Sequence, residues 1–324
     1  MKGSANPFRL LPSTRAYIRE ARRTPGYRVI DLLHAYLYSR WPYCYISIGT
    51  GEHRIVRSHN AVINFLLRIL CRFPADKPVV GSAGLRPGRT DIGTGEDNRT
   101  FSDTYHGKVL RTPDAQKLVS VNREIKLMNL ESVIPFAQAR KLILDKPEHI
   151  LALDCPCRLS RADPCHPIDV CLIIGEPFVS FVSEHYPDRA RVINRETAIE
   201  ILDSEAERGH VHHAFFKEAL FGRLYAICNC CSCCCGAMQA RRNGIPMLAP
   251  SGFVSTVAAT ECSGCGTCAT HCQFHAIEIN GESASVNSDI CMGCGVCESM
   301  CPQHAIRLQR DLNRSSPLDI DELI

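Results

Sequence analysis

No uninterrupted apolar run in the 324-residue chain approaches the roughly 20 residues that a bilayer crossing requires. The most apolar stretch, AVINFLLRILCRF (61–73), is broken by Asn64, Arg68 and Arg72, so no transmembrane helix is expected. Its arginines suit a membrane interface, and a buried core helix accounts for the stretch as well. The opening MKGSANPFRLLPSTRAYIREARRT has neither the continuous apolar segment nor the small-residue cleavage site of a secretory signal. A reducing cytoplasm is therefore the expected compartment. Missing too are a phosphate-binding loop and a Ser–His–Asp arrangement, and Gly93-Thr94-Gly95 does not complete a dinucleotide fingerprint. Nucleotide chemistry and triad hydrolysis are not expected.

Charge is small in sum and uneven in place. Net charge is +3, yet residues 1–80 hold 13 Lys/Arg against 4 Asp/Glu. Such an excess can steer an anionic partner, an acidic lipid surface or nucleic acid. A solvated basic face on a small helical domain explains it equally well. The aromatic interleaving and motifs of nucleic-acid binders are absent, so nucleic acid is not an expected partner, whereas peripheral membrane contact stays open.

Cysteine is what the chain has in plenty: twenty residues. A disulfide scaffold of that density would be a short secreted chain, so thiolate ligation of metal is the better explanation. Eight of the twenty fall in a repeat. Cys262-x-x-Cys265-x-x-Cys268-x-x-x-Cys272 recurs as Cys291-x-x-Cys294-x-x-Cys297-x-x-x-Cys301-Pro302. GCGTCATHCQFHAIEI (264–279) lies over GCGVCESMCPQHAIRL (293–308) at an offset of 29 residues. Two-residue gaps let a tight loop wrap three thiolates around one face of a cluster while a fourth comes from elsewhere. Zinc sites are not spaced as two quartets of this form. Gly264, Gly266, Gly293 and Gly295 permit close turns whose free N–H groups can reach sulfur.

Over about residues 252–309 the chain resembles the bacterial two-cluster ferredoxins, small pseudo-twofold α+β modules carrying a pair of 4Fe–4S clusters. In that family the fourth cysteine of each motif serves the other cluster. The resemblance implies Cys262, Cys265, Cys268 and Cys301 on cluster one, and Cys291, Cys294, Cys297 and Cys272 on cluster two. Gln273 departs from the family, which usually has proline there; a looser local backbone is expected. Ile277 and Ile306 would wall the clusters from water, with Phe253–Val257, 276–280 and 305–309 as framing strands. His271, His275 and His304, beside the ligands, either pack against them or couple protonation to reduction.

Ten further cysteines cluster in the middle of the chain: Cys155, Cys157, Cys165 and Cys171, then Cys228, Cys230, Cys231, Cys233, Cys234 and Cys235. HILAL (149–153), DVCLII (169–174) and Leu224–Ile227 read as short strands running into them. If the first two pair antiparallel, Cys171 comes beside Cys155 and Cys157, and the third strand can reach the same rim. A subset would bind one further iron–sulfur cluster, with two or a second metal as alternatives; six thiols in eight residues cannot all ligate one cube. Cys234-Cys235-Gly236 is similar to the CCG motif of heterodisulfide-reductase subunits, but the flanking lone cysteines of that family are missing. Cys44 and Cys71 read as buried apolar thiols. His210, His212 and His213 are candidate ligands or proton carriers, with surface residues of a helix-to-strand loop the commoner outcome. Helices are expected after Pro25-Gly26 across Val29–Leu37, over Pro135–Leu144 with Ser132 near its start, over Glu196–Arg208 with Asn194 as cap and Gly209 as stop, and over Gly236–Arg242.

The expected architecture is α+β. A pseudo-twofold dicluster ferredoxin-like module (251–310) is appended to a Cys-rich α/β domain (101–250). A basic, partly helical N-terminal region (1–100) ends in a Gly/Pro-rich linker (74–100), and a tail occupies 311–324. The expected function is relay of single electrons between an unidentified redox partner and the Cys-rich domain. The alternatives are a reductase whose active site is the middle-domain cluster or thiols, and a metal-dependent sensor or assembly factor.

Overall fold

The computed structural model describes residues 10–50, 105–128, 130–136 and 141–324. The apolar stretch 61–73, the linker 74–100 and Cys71 lie outside these. Three helices open the described chain: α1 (Pro12–Arg23), α2 (Val29–Arg40) and α3 (Pro42–Gly49). Pro12 and Pro42 occupy first-turn positions, where a missing N–H costs nothing. The helix expected across Val29–Leu37 is present, but its buried side chains are Asp31, His34, Ala35 and Tyr38, while Val29, Ile30 and Leu33 are exposed. Among the described residues no helix is long and apolar enough to cross a membrane.

The centre is a seven-stranded mixed sheet. Its strands are β1 (Tyr105–Leu110), β4 (Ile150–Leu153), β5 (Cys171–Ile174), β6 (Ala190–Ile193), β7 (Val211–Lys217), β8 (Arg223–Cys230) and β9 (Leu248–Ala249), in the order β6-β4-β5-β8-β7-β1-β9. Every pairing is antiparallel except β1–β9. The middle domain is therefore antiparallel-centred rather than a wound α/β sheet. Helices nevertheless cover both faces, so β4, β5 and β7 are buried at every residue. Against one face pack α1–α3 and α6 (Phe178–His185), joined by Met292 and Val296 of the C-terminal module. Against the other lie α4 (Thr112–Val119) and α7 (Arg195–Glu207), with Leu318 and Ile320 from the end of the chain. Burial of side chains such as these two contributes about 1.5–3 kcal/mol each, so the tail is fastened to the sheet domain. The cap of α7 is as expected: Asn194 Oδ1 accepts from the Thr197 N–H at 2.9 Å.

One expected helix is corrected. Residues 142–144 of the proposed Pro135–Leu144 helix form a strand, β3 (Leu142–Leu144), paired antiparallel with β2 (Ile125–Leu127). A three-residue apolar run carries no readable period, and pairing with an apolar partner strand decides it.

Candidate iron–sulfur and thiolate sites

The sequence repeat of the C-terminal module is also a structural repeat. Strand β10 (Phe253–Val257) pairs with β13 (Ile306–Arg310), and β11 (Ile277–Asn280) with β12 (Ser283–Val286). Two short helices, α9 (Thr267–His271) and α10 (Val296–Ser299), each start after a glycine of positive φ, Gly266 at 79° and Gly295 at 89°. His275 and His304, 29 positions apart, share the left-handed conformation with φ of 55° and 51°.

Cys262, Cys265, Cys268 and Cys301 line one small cavity, closed by Ile306 and Ile279. In the other half, the charges of Cys272 and Cys291 act on Cys294 and Cys297. Backbone N–H groups point at sulfur: Ala276 to Cys272 at 3.2 Å, Ala284 to Cys262 at 3.4 Å and Ala305 to Cys301 at 3.3 Å. Ser255 Oγ lies 3.1 Å from Cys297 Sγ. At Gly293 a Cβ would stand 2.2 Å from the Phe253 carbonyl oxygen, so only glycine lets the ligand loop lie against β10.

Residues 261–305 match the family described as a 4Fe-4S dicluster domain. The C-terminal module is a 4Fe–4S dicluster domain. No curated protein matches the chain significantly. The module fits the two clusters its family implies: it offers eight thiols, N–H donors aimed at sulfur and glycine-lined ligand loops.

Its halves face different surroundings. Cys265 is exposed, and the Thr267 hydroxyl and backbone N–H beside it hold its thiol below the usual range. The Gly264 and Ala284 N–H groups do the same for Cys262. Burial instead pushes Cys297 up to about 12 and Cys294 higher still. Cys294, Phe274 and Met300 of this inner half pack against the core of the sheet domain. Gln273, the departure from the family's proline, spans the seam. Its Oε1 accepts from the Ser232 N–H at 2.8 Å, and its Nε2 donates to the Gly209 carbonyl at 3.0 Å.

The dicluster thus adjoins the second cysteine region. Strands β4 and β5 pair antiparallel with Leu153 opposite Cys171, and β5 pairs with β8 with Cys171 opposite Cys228. The end of β4, the start of β5 and the end of β8 share one rim, where the chain continues into α5 (Pro156–Leu159) and α8 (Gly236–Arg242). The ten thiols gathered there separate into two sets. The first is Cys165, Cys231, Cys233 and Cys234, whose sulfurs all lie within 4.8 Å of one another. Cys165 and Cys233 approach to 3.0 Å, and Cys233 and Cys234 to 3.6 Å. A tetrahedron with metal–sulfur bonds of about 2.3 Å has edges of about 3.8 Å, so this quartet can hold a single metal ion. The second set is Cys155, Cys157, Cys171, Cys228, Cys230 and Cys235, lining a cavity of about 220 Å³ that Cys231 and Cys234 of the first set also border.

Arg158 stands between the sets. It is 1% exposed, and its Nη2 donates to Glu205 Oε2 at 2.5 Å and to the Asn229 carbonyl at 3.1 Å, while Nη1 donates to the Pro167 carbonyl. Its charge acts on Cys155 and Cys231, one from each set. Contacts with Cys157 and Cys171, together with Arg158, hold Cys155 well below the usual thiol range despite burial.

Two expectations are overturned. His210, His212 and His213 are not surface residues: they precede or occupy β7 and are buried. The strand is covered on both faces, and each ring finds a partner. His210 Nδ1 meets Glu205 Oε2 at 2.7 Å, His212 Nδ1 meets Asn229 Oδ1 at 2.6 Å, and His213 Nδ1 meets the Val211 carbonyl at 3.2 Å. Burial holds His213 down at about 3, which keeps it neutral. Cys44 is exposed on α3 rather than buried. Sequence reasoning missed Arg158 and the aromatic wall of the cavity, whose residues come from segments far apart in the chain. Gln273 carried a readable signal, its departure from the family.

Proposed function

We propose that the protein relays single electrons from a partner protein through its dicluster to a metal centre in the Cys-rich domain. A 4Fe–4S cluster supplies reversible one-electron transfer, and the chain's residues set direction and insulation. Cluster one would take Cys262, Cys265, Cys268 and Cys301, the four thiols of the module cavity. Cluster two would take Cys291, Cys294, Cys297 and Cys272, whose charges interact. Cluster one then lies toward the exposed Cys265 as the docking face for a redox partner. Cluster two lies toward the sheet domain.

The observation that carries this reading is Gln273. It follows Cys272 in the chain and accepts from Ser232, which sits between Cys231 and Cys233. One side chain therefore joins the inner half of the dicluster to the middle-domain thiols. The Cys165 quartet would bind zinc or iron, and a reducing cytoplasm is the compartment the reading implies.

A second reading, a reductase, is favoured by one feature. The middle-domain cavity is walled by Tyr38, Tyr105 and Tyr225, whose hydroxyls form a chain of 2.8 and 3.2 Å, with Lys217 Nζ over their side of the cavity at 4.7 Å from the Tyr38 ring. Such groups could deliver protons to a small electron acceptor.

Anaerobic stopped-flow with a reduced ferredoxin-type donor protein tests the relay. The dicluster should bleach first and the middle-domain absorbance should follow. In Cys265→Ser, which perturbs the outer cluster, both phases should slow. A middle domain reduced at an unchanged rate in that variant would show that electrons enter elsewhere.

A further inference from the structure

We propose that Cys155, Cys157, Cys171, Cys228, Cys230 and Cys235 together ligate one polynuclear iron–sulfur cluster, separate from the Cys165 quartet and the dicluster. This names the centre that the relay feeds, and so it rests on that reading for its role though not for its existence.

Neighbouring thiols interact in the order Cys228, Cys171, Cys155, Cys157, Cys235 and Cys230. The charge of Cys228 acts in turn on Cys230, which closes the ring. Strand ends supply one side of it, Cys155, Cys171 and Cys228. Helix starts supply Cys157 and Cys235, and the last residue of β8 supplies Cys230. All six face the same cavity, while no three of their sulfurs lie mutually within 4.8 Å.

That spacing excludes one tetrahedral ion, whose four ligands would all crowd to about 3.8 Å. It is shared with the eight dicluster thiols, no three of which approach so closely either. Six thiols around one cavity exceed the four that a single ion takes, whereas the Cys165 quartet, a few residues away, is drawn together as ion ligands are. Soft thiolates select zinc, copper(I) or iron–sulfur. A centre bridging six separated thiolates beside a dicluster is of use to it only if it changes redox state, which zinc does not.

The second observation is a buried donor. Arg158 lines the cavity, is 1% exposed, and its Nε has no hydrogen-bond partner among the described residues although its other nitrogens are satisfied. A buried N–H without an acceptor is destabilising, and sulfide or thiolate of a bound cluster would supply the acceptor. The guanidinium also offsets the negative charge that six thiolates bring.

The experiment uses the full chain, purified without oxygen, with metal analysis, acid-labile sulfide and EPR on six single Cys→Ser variants and on Cys233→Ser as control. Each of the six should lower iron and sulfide together by about four atoms or more while the two dicluster EPR signals persist. Far-UV circular dichroism reports separately that the sheet domain of each variant is folded. Cys233→Ser should lose no sulfide. If two of the six variants retain full iron, the site is a single cube with spare thiols and the six-ligand assignment falls. Copper or zinc in place of iron and sulfide overturns it as well, as does iron content that none of the six changes. Arg158→Lys keeps the charge but removes Nε; it should shift the midpoint potential of this centre alone, and an unshifted potential removes Arg158 from the site. Intact iron with no electron transfer from the dicluster would instead sink the relay and leave this site standing.

Discussion

The two cysteine regions assemble their ligands by opposite means. In the dicluster domain, six of the eight thiols come from two tight loops of the repeat, and the hydrogen bonds to Cys272 and Cys301 come from Ala276 and Ala305, four residues further on. Local spacing is enough to specify that geometry. In the middle domain, Cys171 stands beside Cys228 only because β5 pairs with β8, and Cys155 joins them only because β4 pairs with β5. The six consecutive-looking cysteines of 228–235 are then split: Cys231, Cys233 and Cys234 gather into the quartet, while Cys228, Cys230 and Cys235 line the cavity, which Cys231 and Cys234 also border. A local motif should survive loss of the surrounding sheet. A topological site should not.

The sharpest break in that comparison is expected at Arg158. Replacing it with alanine leaves Glu205 to Arg208 and His210 without the fully buried guanidinium at 2.5 Å, and removing one member of a buried pair typically costs about 3–5 kcal/mol. Denaturant unfolding should show that loss. The middle-domain metal should go with it, and the dicluster EPR signals should remain. Equal loss from both regions would show that the dicluster depends on the sheet after all.

Legibility in the sequence follows the same division. The dicluster repeat and its three framing strands were readable because each motif is local and recurs intact 29 residues on. Strands β4 and β5 and the cap of α7 were readable for the same reason. The histidines of β7 were misread because polarity argued for surface, while Asn229 and Glu205, distant in sequence, supply the partners that permit burial. The sorting of the 228–235 thiols was beyond local reasoning: alternation along β8 and the turn after it decide which sulfur faces which site. Arg158 had no sequence signal at all.

Lys108 tests how firmly the two regions are joined. It lies on β1 with no exposure and donates to Ser315 Oγ at 2.9 Å, in the segment that returns from the dicluster to the sheet. Burial, aided by the Arg310 charge, holds its ammonium down at about 7 against an ordinary 10.5. Above pH 7 the unfolded chain therefore binds the proton that the folded one has shed, and stability rises with pH up to about 10.5. Between pH 7 and 9.5 the gain should be about 3 kcal/mol. Denaturation midpoints should climb over that range and flatten in Lys108→Met; an unchanged slope in the variant would assign the pH dependence elsewhere.

Gln273→Pro would restore the family's residue and remove both seam hydrogen bonds, at about 1–2 kcal/mol in total. The dicluster should keep its iron, because the proline supplies no ligand. What should fall is the rate at which electrons reach the middle domain. A variant that transfers at the parent rate would show that the apolar packing of Phe274 and Cys294 suffices for coupling.

The smallest effect contrasts the two halves of the dicluster itself. Ser255 on β10 and Ala284 on β12 are equivalent positions, 29 residues apart, both buried. The serine hydroxyl reaches Cys297 at 3.1 Å and lies 3.9 Å from Cys291, whereas the alanine has no hydroxyl and offers Cys262 only its backbone N–H, at 3.4 Å. A donor to sulfur stabilises the more negative, reduced state of a cluster and so raises its potential. One hydrogen bond of about 1 kcal/mol corresponds to roughly 40 mV for a one-electron couple. Ser255→Ala should lower the potential of the inner cluster by about that amount, and Ala284→Ser should raise that of the outer one. Potentiometric EPR titration of both variants reads the shifts separately. In the parent the inner cluster should be the easier to reduce of the two by this contribution, which draws electrons toward the sheet domain; shifts in the same cluster from both substitutions would refute the division of ligands between the halves.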